Sequence, residues 1–324
     1  MEAAVSSLHS PGDKVQVIVA GKFGERWAQL AKAFGLECIR LHKDYGDAAS
    51  PVEILNQLEK NQGVRSLFVQ ACETSTGTVH DLESISRVVR DKFPDILIIV
   101  DAISAIGSQP VEPDEWDLDV VISGAQKAFG VPPGLAFVSL GPRAVKALES
   151  DSYSPHYYLN LRKELAGQLS GNTAYTPAIS LITALNKATS IMLEEGLEQL
   201  IGTANLMARC ARKGLQELGF CLLSTSPANA LTAAYPPPGI SADELRTTLE
   251  ESYGLKVAGG QGSLKGKIIR IAHLGYFDLL DVFSVLAAIE MCFHEMGKPV
   301  NLGRGVTAAM EEARSAGVLV PREE

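Results

Sequence analysis

Between Lys14 and Phe137 the chain alternates short, nearly continuous Val/Ile/Leu runs with longer amphipathic segments, and this alternation limits the possible folds more than any other feature. The runs are "KVQVIVAG", "SLFVQA", "ILIIVDA", "DVVISG" and "LAFVSL", and among the intervening segments are "FGERWAQLAKAFG" and "HDLESISRVVRDKF". A strand with one face in water alternates apolar and polar residues; a strand covered on both faces has no such need. Apolar runs bounded by Gly, Asp or Pro, with helix-period segments between them, therefore predict an α/β fold with a mostly parallel sheet flanked by helices.

After Gly141 the texture changes. "PAISLITALNKATSIMLEEGLEQLIGTANLMARCARKGLQELG" reads as one long connecting helix, with Pro177 near its first turn and Gly219 at its stop. Beyond it, strand candidates "LTAAYP", "GLKVAGG" and "KIIRIA" alternate with helical "SADELRTTLEESYG" and "DLLDVFSVLAAIEMCFHEMG". The expected organisation is a large domain over residues 1–195 and a smaller C-terminal α+β domain over 196–324, with the boundary near Glu195.

Bulk properties narrow the function. A chain of 324 residues with 46% hydrophobic residues buries a substantial core. The net charge of -9 and the lack of any basic block argue against a nucleic-acid partner. Five scattered cysteines (Cys38, Cys72, Cys210, Cys221 and Cys292) form no C-x-x-C pair, which points away from a disulfide framework or zinc knuckle and towards a reducing compartment. With no apolar run of membrane-spanning length and no signal-peptide pattern in "MEAAVSSLHS", a cytoplasmic location without membrane contact is expected.

Open parallel sheets bind ligands beyond the carboxyl ends of their strands. The chain has no Rossmann fingerprint at a helix start, since "GGQGSLKG" precedes a strand candidate and reads as a tight turn. It has no Walker A loop, no H-E-x-x-H and no G-x-S-x-G, and its six histidines are dispersed, so no metal site is expected. Three polar segments instead follow consecutive strand candidates: "ETSTG" (73–77), "DAISAIG" (101–107) and "SGAQK" (123–127). Taken one at a time, Asp101 also fits a turn cap, and Thr74, Ser75 and Thr76 fit ordinary turn chemistry. Their order along the chain carries more.

With "PGDKVQVIVAGKFGERW", "ETSTG", "VDAISAIG", "ISGAQKAFGVPPGLAF", "YTPAIS" and "KIIRIAHLG" in this order, the sequence resembles the class V aminotransferases, fold type I pyridoxal-phosphate enzymes of the alanine-glyoxylate / serine-pyruvate type. The resemblance implies that the cofactor is pyridoxal 5'-phosphate and that Lys127 bonds its aldehyde and then moves the proton between substrate carbon and cofactor, for which the amine must be uncharged. Asp101 would keep the pyridine nitrogen protonated. Phe23 and Ile103 would cover the two ring faces, Thr74 would lie beside the ring, and Gln126 would bond the phosphate or ring oxygen. Arg270 would grip the substrate carboxylate through its planar fork, with His273 packed nearby. Thr176, with Thr173 or Tyr175, would reach the neighbouring subunit's cofactor phosphate in a homodimer.

The implied reaction moves an amino group from a small amino acid (alanine or serine) to a 2-oxo acid (glyoxylate or pyruvate). The alternatives are a lyase or cysteine desulfurase on the same fold, and a non-catalytic homologue. Desulfurases place His immediately before the lysine where this chain has Gln126, which favours transamination. The resemblance further implies chain upstream of Met1, including a Ser/Gly/Thr turn whose amides hold the phosphate. On that reading Met1 is an internal methionine of a longer protein, the alternative being a genuine start and weaker cofactor binding.

Overall fold

The structure is a computed structural model that describes residues 1–149 and 156–318. In chain order its elements are α1 (Glu2–Leu8), β1 (Lys14–Val19), α2 (Lys22–Ala33), β2 (Glu37–His42), α3 (Pro51–Lys60), β3 (Val64–Gln70), β4 (Cys72–Glu73), β5 (Thr78–Val79), α4 (Leu82–Lys92), β6 (Leu97–Asp101), β7 (Val120–Gly124) and β8 (Ala136–Leu140). There follow α5 (Pro142–Glu149), α6 (Leu161–Leu169), α7 (Ile179–Glu195), α8 (Leu197–Glu217), β9 (Cys221–Leu222), β10 (Leu231–Tyr235), α9 (Ala242–Tyr253), β11 (Ala258–Gly259), β12 (Ile269–Ala272), α10 (Leu279–Glu295) and α11 (Arg304–Ser315).

Six strands form the main sheet in the order β2-β1-β3-β6-β7-β8. All neighbours pair in parallel except β8, which runs antiparallel to β7 at the edge. Four of the apolar runs, β1, β3, β6 and β7, are buried on both faces, as their lack of alternation requires, whereas the edge strand β8 in "LAFVSL" is exposed to half-buried. Ile18, Val69, Ile98 and Val100 pack with Ile54, Leu58, Ile85 and Val89 on one side. Val17, Val19, Phe68, Ile99 and Ile122 pack with Val5, Trp27, Ala28 and Leu148 on the other. The flanking helices start on ordinary signals: Ser50 and Glu53 form a capping box around Pro51, and Asp81 accepts from Ser84 N.

A second, antiparallel sheet has the order β11-β12-β10-β9 and a separate core in which Met207, Leu215, Leu245, Leu249, Phe283, Ile289 and Phe293 cover Ile269 and Ile271. The long helix expected after Pro177 is instead two helices. Gly196 has φ +92, a conformation no α-helix contains, and it separates α7 from α8. Pro177 lies near the first turn of α7, just ahead of the N-cap residue Ala178, and Gly219, at φ +84, follows the end of α8 as expected. "GGQGSLKG" contains a short 3₁₀ turn, Gly262–Leu264, in keeping with its reading as a turn.

The strand order reverses between β1 and β3: from β1 the chain adds β2 on one side, and from β3 onward it builds towards β6 and β7 on the other. This leaves a crevice beyond the carboxyl ends of β1 and β3, the place where sheets of this kind hold ligands.

Candidate active site

Glu73 occupies that crevice. It follows β3, is fully buried, and sends its carboxylate across to the start of α2. There it accepts from Phe23 N at 3.0 Å and Gly24 N at 2.9 Å, while on its own loop it accepts from Ser75 N at 3.1 Å and Ser75 Oγ at 2.6 Å. Ser75 Oγ also accepts from Lys22 N at 2.9 Å. The first amides of α2 have no partner within the helix, and its N-cap Gly21 supplies no side chain, so a carboxylate from fifty residues away satisfies them. Gly21 is needed because a Cβ there would lie 2.5 Å from Glu73 Cδ and from Ser75 Oγ. The result is a fixed start for α2, and with it a fixed place for Phe23. The half-buried Phe23 ring carries the Arg26 guanidinium 4.8 Å from its centroid.

Asp101 ends β6 and is buried. It accepts from Ile103 N at 3.0 Å, and no cation pairs with it among the described residues. Burial pushes its carboxyl up to about 6, with Glu73's negative charge adding to the rise and the Ile103 amide opposing it. Ile103 is half-buried beside it. Thr74 Oγ1 donates to Ser104 Oγ at 2.7 Å, which ties the loop after β3 to the loop after β6.

Arg270 lies on β12, on the second sheet, and reaches back to the first. Its Nη1 donates to the Thr74 carbonyl at 2.7 Å and its Nε to the Gly259 carbonyl at 2.9 Å, leaving Nη2 without a hydrogen-bond partner among the described residues. Burial lowers its pKa, so the site holds a partly desolvated, incompletely satisfied guanidinium.

Lys127 follows β7 in the loop that precedes β8 and is half-buried. Its Nζ makes no hydrogen bond or ion pair among the described residues. Burial holds its pKa below the usual lysine value, and the positive charge of Arg270 acts in the same direction against the opposing influence of Cys72 and Asp101. These electrostatic couplings bring Lys127, Asp101, Cys72 and Arg270 into one site. Gln126 is exposed, and its amide folds back over Gly124.

Two of the expected groups make no hydrogen bond to Lys127, Asp101 or Arg270 among the described residues. Thr176 is exposed and makes no hydrogen bond among the described residues, while Thr173 Oγ1 donates to the Tyr175 carbonyl and Tyr175 OH to the Tyr157 carbonyl. His273 is buried, with Nε2 3.0 Å from Thr232 Oγ1, and burial drives its pKa down to about 3. It is a packed neutral imidazole. No group of three or more His, Cys, Asp or Glu able to hold a metal occurs among the described residues.

A family model for class V aminotransferases matches residues 1–274. This chain belongs to the class V aminotransferase family. Among its relatives, the soluble hydrogenase 42 kDa subunit of Anabaena cylindrica is 34% identical over 95% of this chain and 81% of that protein. The L-aspartate–glyoxylate aminotransferase of Paracoccus denitrificans is 31% identical over 97% of this chain and 80% of that one. The crystal structure of ureidoglycine-glyoxylate aminotransferase from Bacillus subtilis superposes with a TM-score of 0.90 at 28% identity, over 97% of this chain and 81% of that one. The sheet order and flanking helices are those of the fold type I aminotransferases, and the class V aminotransferases depend on pyridoxal phosphate.

The residues present fit that cofactor. Burial disfavours the ionised form of Asp101 and the charges of the Met1 amino group and Arg26 oppose that only in part, so a protonated pyridine nitrogen would be a suitable further positive partner for it. Lys127 suits the complementary requirement, because burial lowers its pKa and so makes the amine easier to deprotonate, as a nucleophile and base would need. Glu73 was absent from the residues expected of a class V aminotransferase site. Its signal, an acid directly after an apolar strand, is weak in sequence because its partners lie on α2.

Proposed function

We propose that this aminotransferase carries an amino group from a small amino acid, alanine or serine, to a 2-oxo acid, glyoxylate or pyruvate. The observation that carries the reading is the convergence of a depressed, unpaired Lys127, a buried Asp101 and an incompletely satisfied Arg270 around one crevice. Glyoxylate as acceptor is supported by two of the similar proteins, whose names specify glyoxylate aminotransferases.

When bound, pyridoxal phosphate supplies an aldehyde that takes up the amino group and a ring that draws off electron density. The chain's residues do the rest. Lys127 would serve as the base that takes the proton from the substrate carbon and later gives it back. Asp101 would keep the cofactor's ring nitrogen protonated, and Phe23, Ile103, Thr74 and Gln126 would help to hold the cofactor. Arg270 fixes the carboxylate common to amino donor and oxo acceptor, which suits one pocket to both half-reactions.

Desulfuration is not favoured by the thiols. Cys72, the cysteine coupled to Lys127, is buried with its pKa raised, and the exposed Cys221 belongs to β9 in the second sheet. The five free cysteines accord with a cytoplasmic enzyme, and no described helix is long and apolar enough to cross a membrane. We take residues 1–195 as the cofactor domain and 196–324 as the smaller domain.

The active form in this reading is a homodimer. No residue of α7 is buried, and it presents Ile179, Ile182, Ile191 and Leu193 to solvent, an apolar face that a second copy covers while bringing Thr176 to its neighbour's phosphate. A panel assay of amino donors against glyoxylate and pyruvate tests the substrate reading. Transfer from alanine or serine is expected; turnover confined to other donors and acceptors overturns it.

A further inference from the structure

Arg270 is aimed by two main-chain carbonyls, and one of them belongs to a segment with little structure of its own. Gly259 is half of the two-residue strand β11, which pairs with β12 at Ala258↔Arg270 and Gly259↔Ile269. The residues that follow include Gly260 and Gly262, which have no side chains with which to anchor the segment. A carbonyl on such a segment fixes a guanidinium only if something fixes the carbonyl.

Arg246, from α9, meets that need. Its Nε donates to the Val257 carbonyl at 3.2 Å and its Nη1 bonds Asp243 Oδ1 at 3.2 Å, so the side chain is tied at both ends. Between these ties the guanidinium lies over Gly259: a Cβ on that residue would be 2.7 Å from Arg246 Nη1, 3.0 Å from Cζ and 3.2 Å from Nε. Three atoms of the planar group thus occupy the space beside Gly259 where a side chain would otherwise start. A connected chain runs from Asp243 through Arg246 and Gly259 to Arg270, and on to the Thr74 carbonyl beside Ser104.

We propose that Arg246 is a positioning residue for substrate binding: by clamping β11 it fixes the Gly259 carbonyl, which orients Arg270 so that Nη2 is presented to the substrate carboxylate. The proposal rests on the reading of Arg270 as the carboxylate anchor. Arg246 bonds Val257 and Asp243 and makes no hydrogen bond to Lys127, Asp101 or Arg270 among the described residues, so its loss is expected to act on carboxylate affinity and to leave the chemistry at Lys127 alone.

The test uses the cofactor-loaded enzyme with Arg246→Met, Arg246→Lys and the milder Asp243→Asn. Arg246→Met is expected to raise KM for amino and oxo acid alike, and the dissociation constant of a simple monocarboxylate such as propionate, by about tenfold. The kcat, the dissociation constant of pyridoxal phosphate and the urea midpoint are expected to stay within about twofold of wild type. Arg246→Lys keeps the charge but not the plane and fails to restore affinity; Asp243→Asn shows the same change at smaller size. An Arg246→Met enzyme with unchanged propionate affinity, full rescue by Arg246→Lys, or a loss confined to kcat overturns the proposal. Arg270→Met separates the two layers. If it too leaves propionate affinity unchanged, the anchor reading itself is wrong; if it weakens propionate while Arg246→Met does not, only the positioning role is wrong.

Discussion

Glu73→Ala is the substitution expected to do the most damage for the fewest atoms removed. The carboxylate is fully buried and accepts from four donors: Phe23 N, Gly24 N, Ser75 N and Ser75 Oγ. Three are backbone amides, and two of these open α2. Each bond to an ionised acceptor contributes about 1.5–3 kcal/mol, and a buried donor left without a partner costs about 1–3 kcal/mol. Removing the carboxylate also relieves its own desolvation, so the net loss is smaller than the sum, about 3–5 kcal/mol. With a urea m-value of about 3 kcal/mol per molar, the midpoint falls by about 1–1.7 M. Glu73→Gln keeps the shape but turns one acceptor into an NH2 facing N–H donors, and is expected to cost about 2 kcal/mol. Because Phe23 is placed by these bonds, both variants also weaken pyridoxal phosphate binding, measured by fluorescence titration. A Glu73→Ala protein within about 1 kcal/mol of wild type and with unchanged cofactor affinity would refute the argument that one carboxylate fixes this end of the crevice.

The remaining predictions concern packing and pH. Gly21→Ala places a methyl 2.5 Å from Glu73 and Ser75, so it reproduces much of the Glu73 defect, at about 2–4 kcal/mol in urea unfolding, with Glu73 still present; a neutral result sinks the close-approach argument. Asp101 binds a proton up to about pH 6 in the folded chain and up to about 4 when unfolded. Its contribution to the stability of the cofactor-free protein is therefore fully present below pH 4 and declines by about 2–3 kcal/mol as pH rises through 6. The wild-type minus Asp101→Asn stability difference should show that slope, and a flat difference between pH 4 and 6.5 contradicts it. His9 and His80 run the other way: burial first of all lowers both to about 4, below the unfolded value of about 6.5. Their neutral forms stabilise the fold above pH 6.5, and that contribution is lost as pH falls towards 4. His80→Gln should flatten part of this acid limb in pH-dependent unfolding, and an unchanged limb contradicts the assignment.

Legibility in the sequence followed burial. β1, β3, β6 and β7 stand out as apolar runs because both of their faces are covered. β2 does not stand out, since "ECIRLH" is a half-exposed edge strand with Glu37, Arg40 and His42 in it. The break between α7 and α8 was hidden for a different reason. An internal glycine is compatible with a continuous helix, and only the backbone conformation reveals that Gly196 ends one. In the site, Lys127, Asp101, Thr74 and Arg270 were picked out by the order of short motifs, each of which reads locally. Glu73 and Arg246 act through partners about 50 and 13 residues away, on α2 and β11, and no local pattern records such a contact. The alternation that predicts the sheet also predicts where a crevice opens, but not which loop side chain crosses it.

The central claim is that Lys127 is the group that bonds the cofactor, and covalent trapping tests it most directly. The protein is loaded with pyridoxal phosphate, reduced with borohydride, digested, and the labelled peptide sequenced by mass spectrometry. The label is expected on Lys127, with visible absorbance before reduction that Lys127→Ala abolishes. A label on any other lysine, or a Lys127→Ala spectrum identical to wild type, would contradict it.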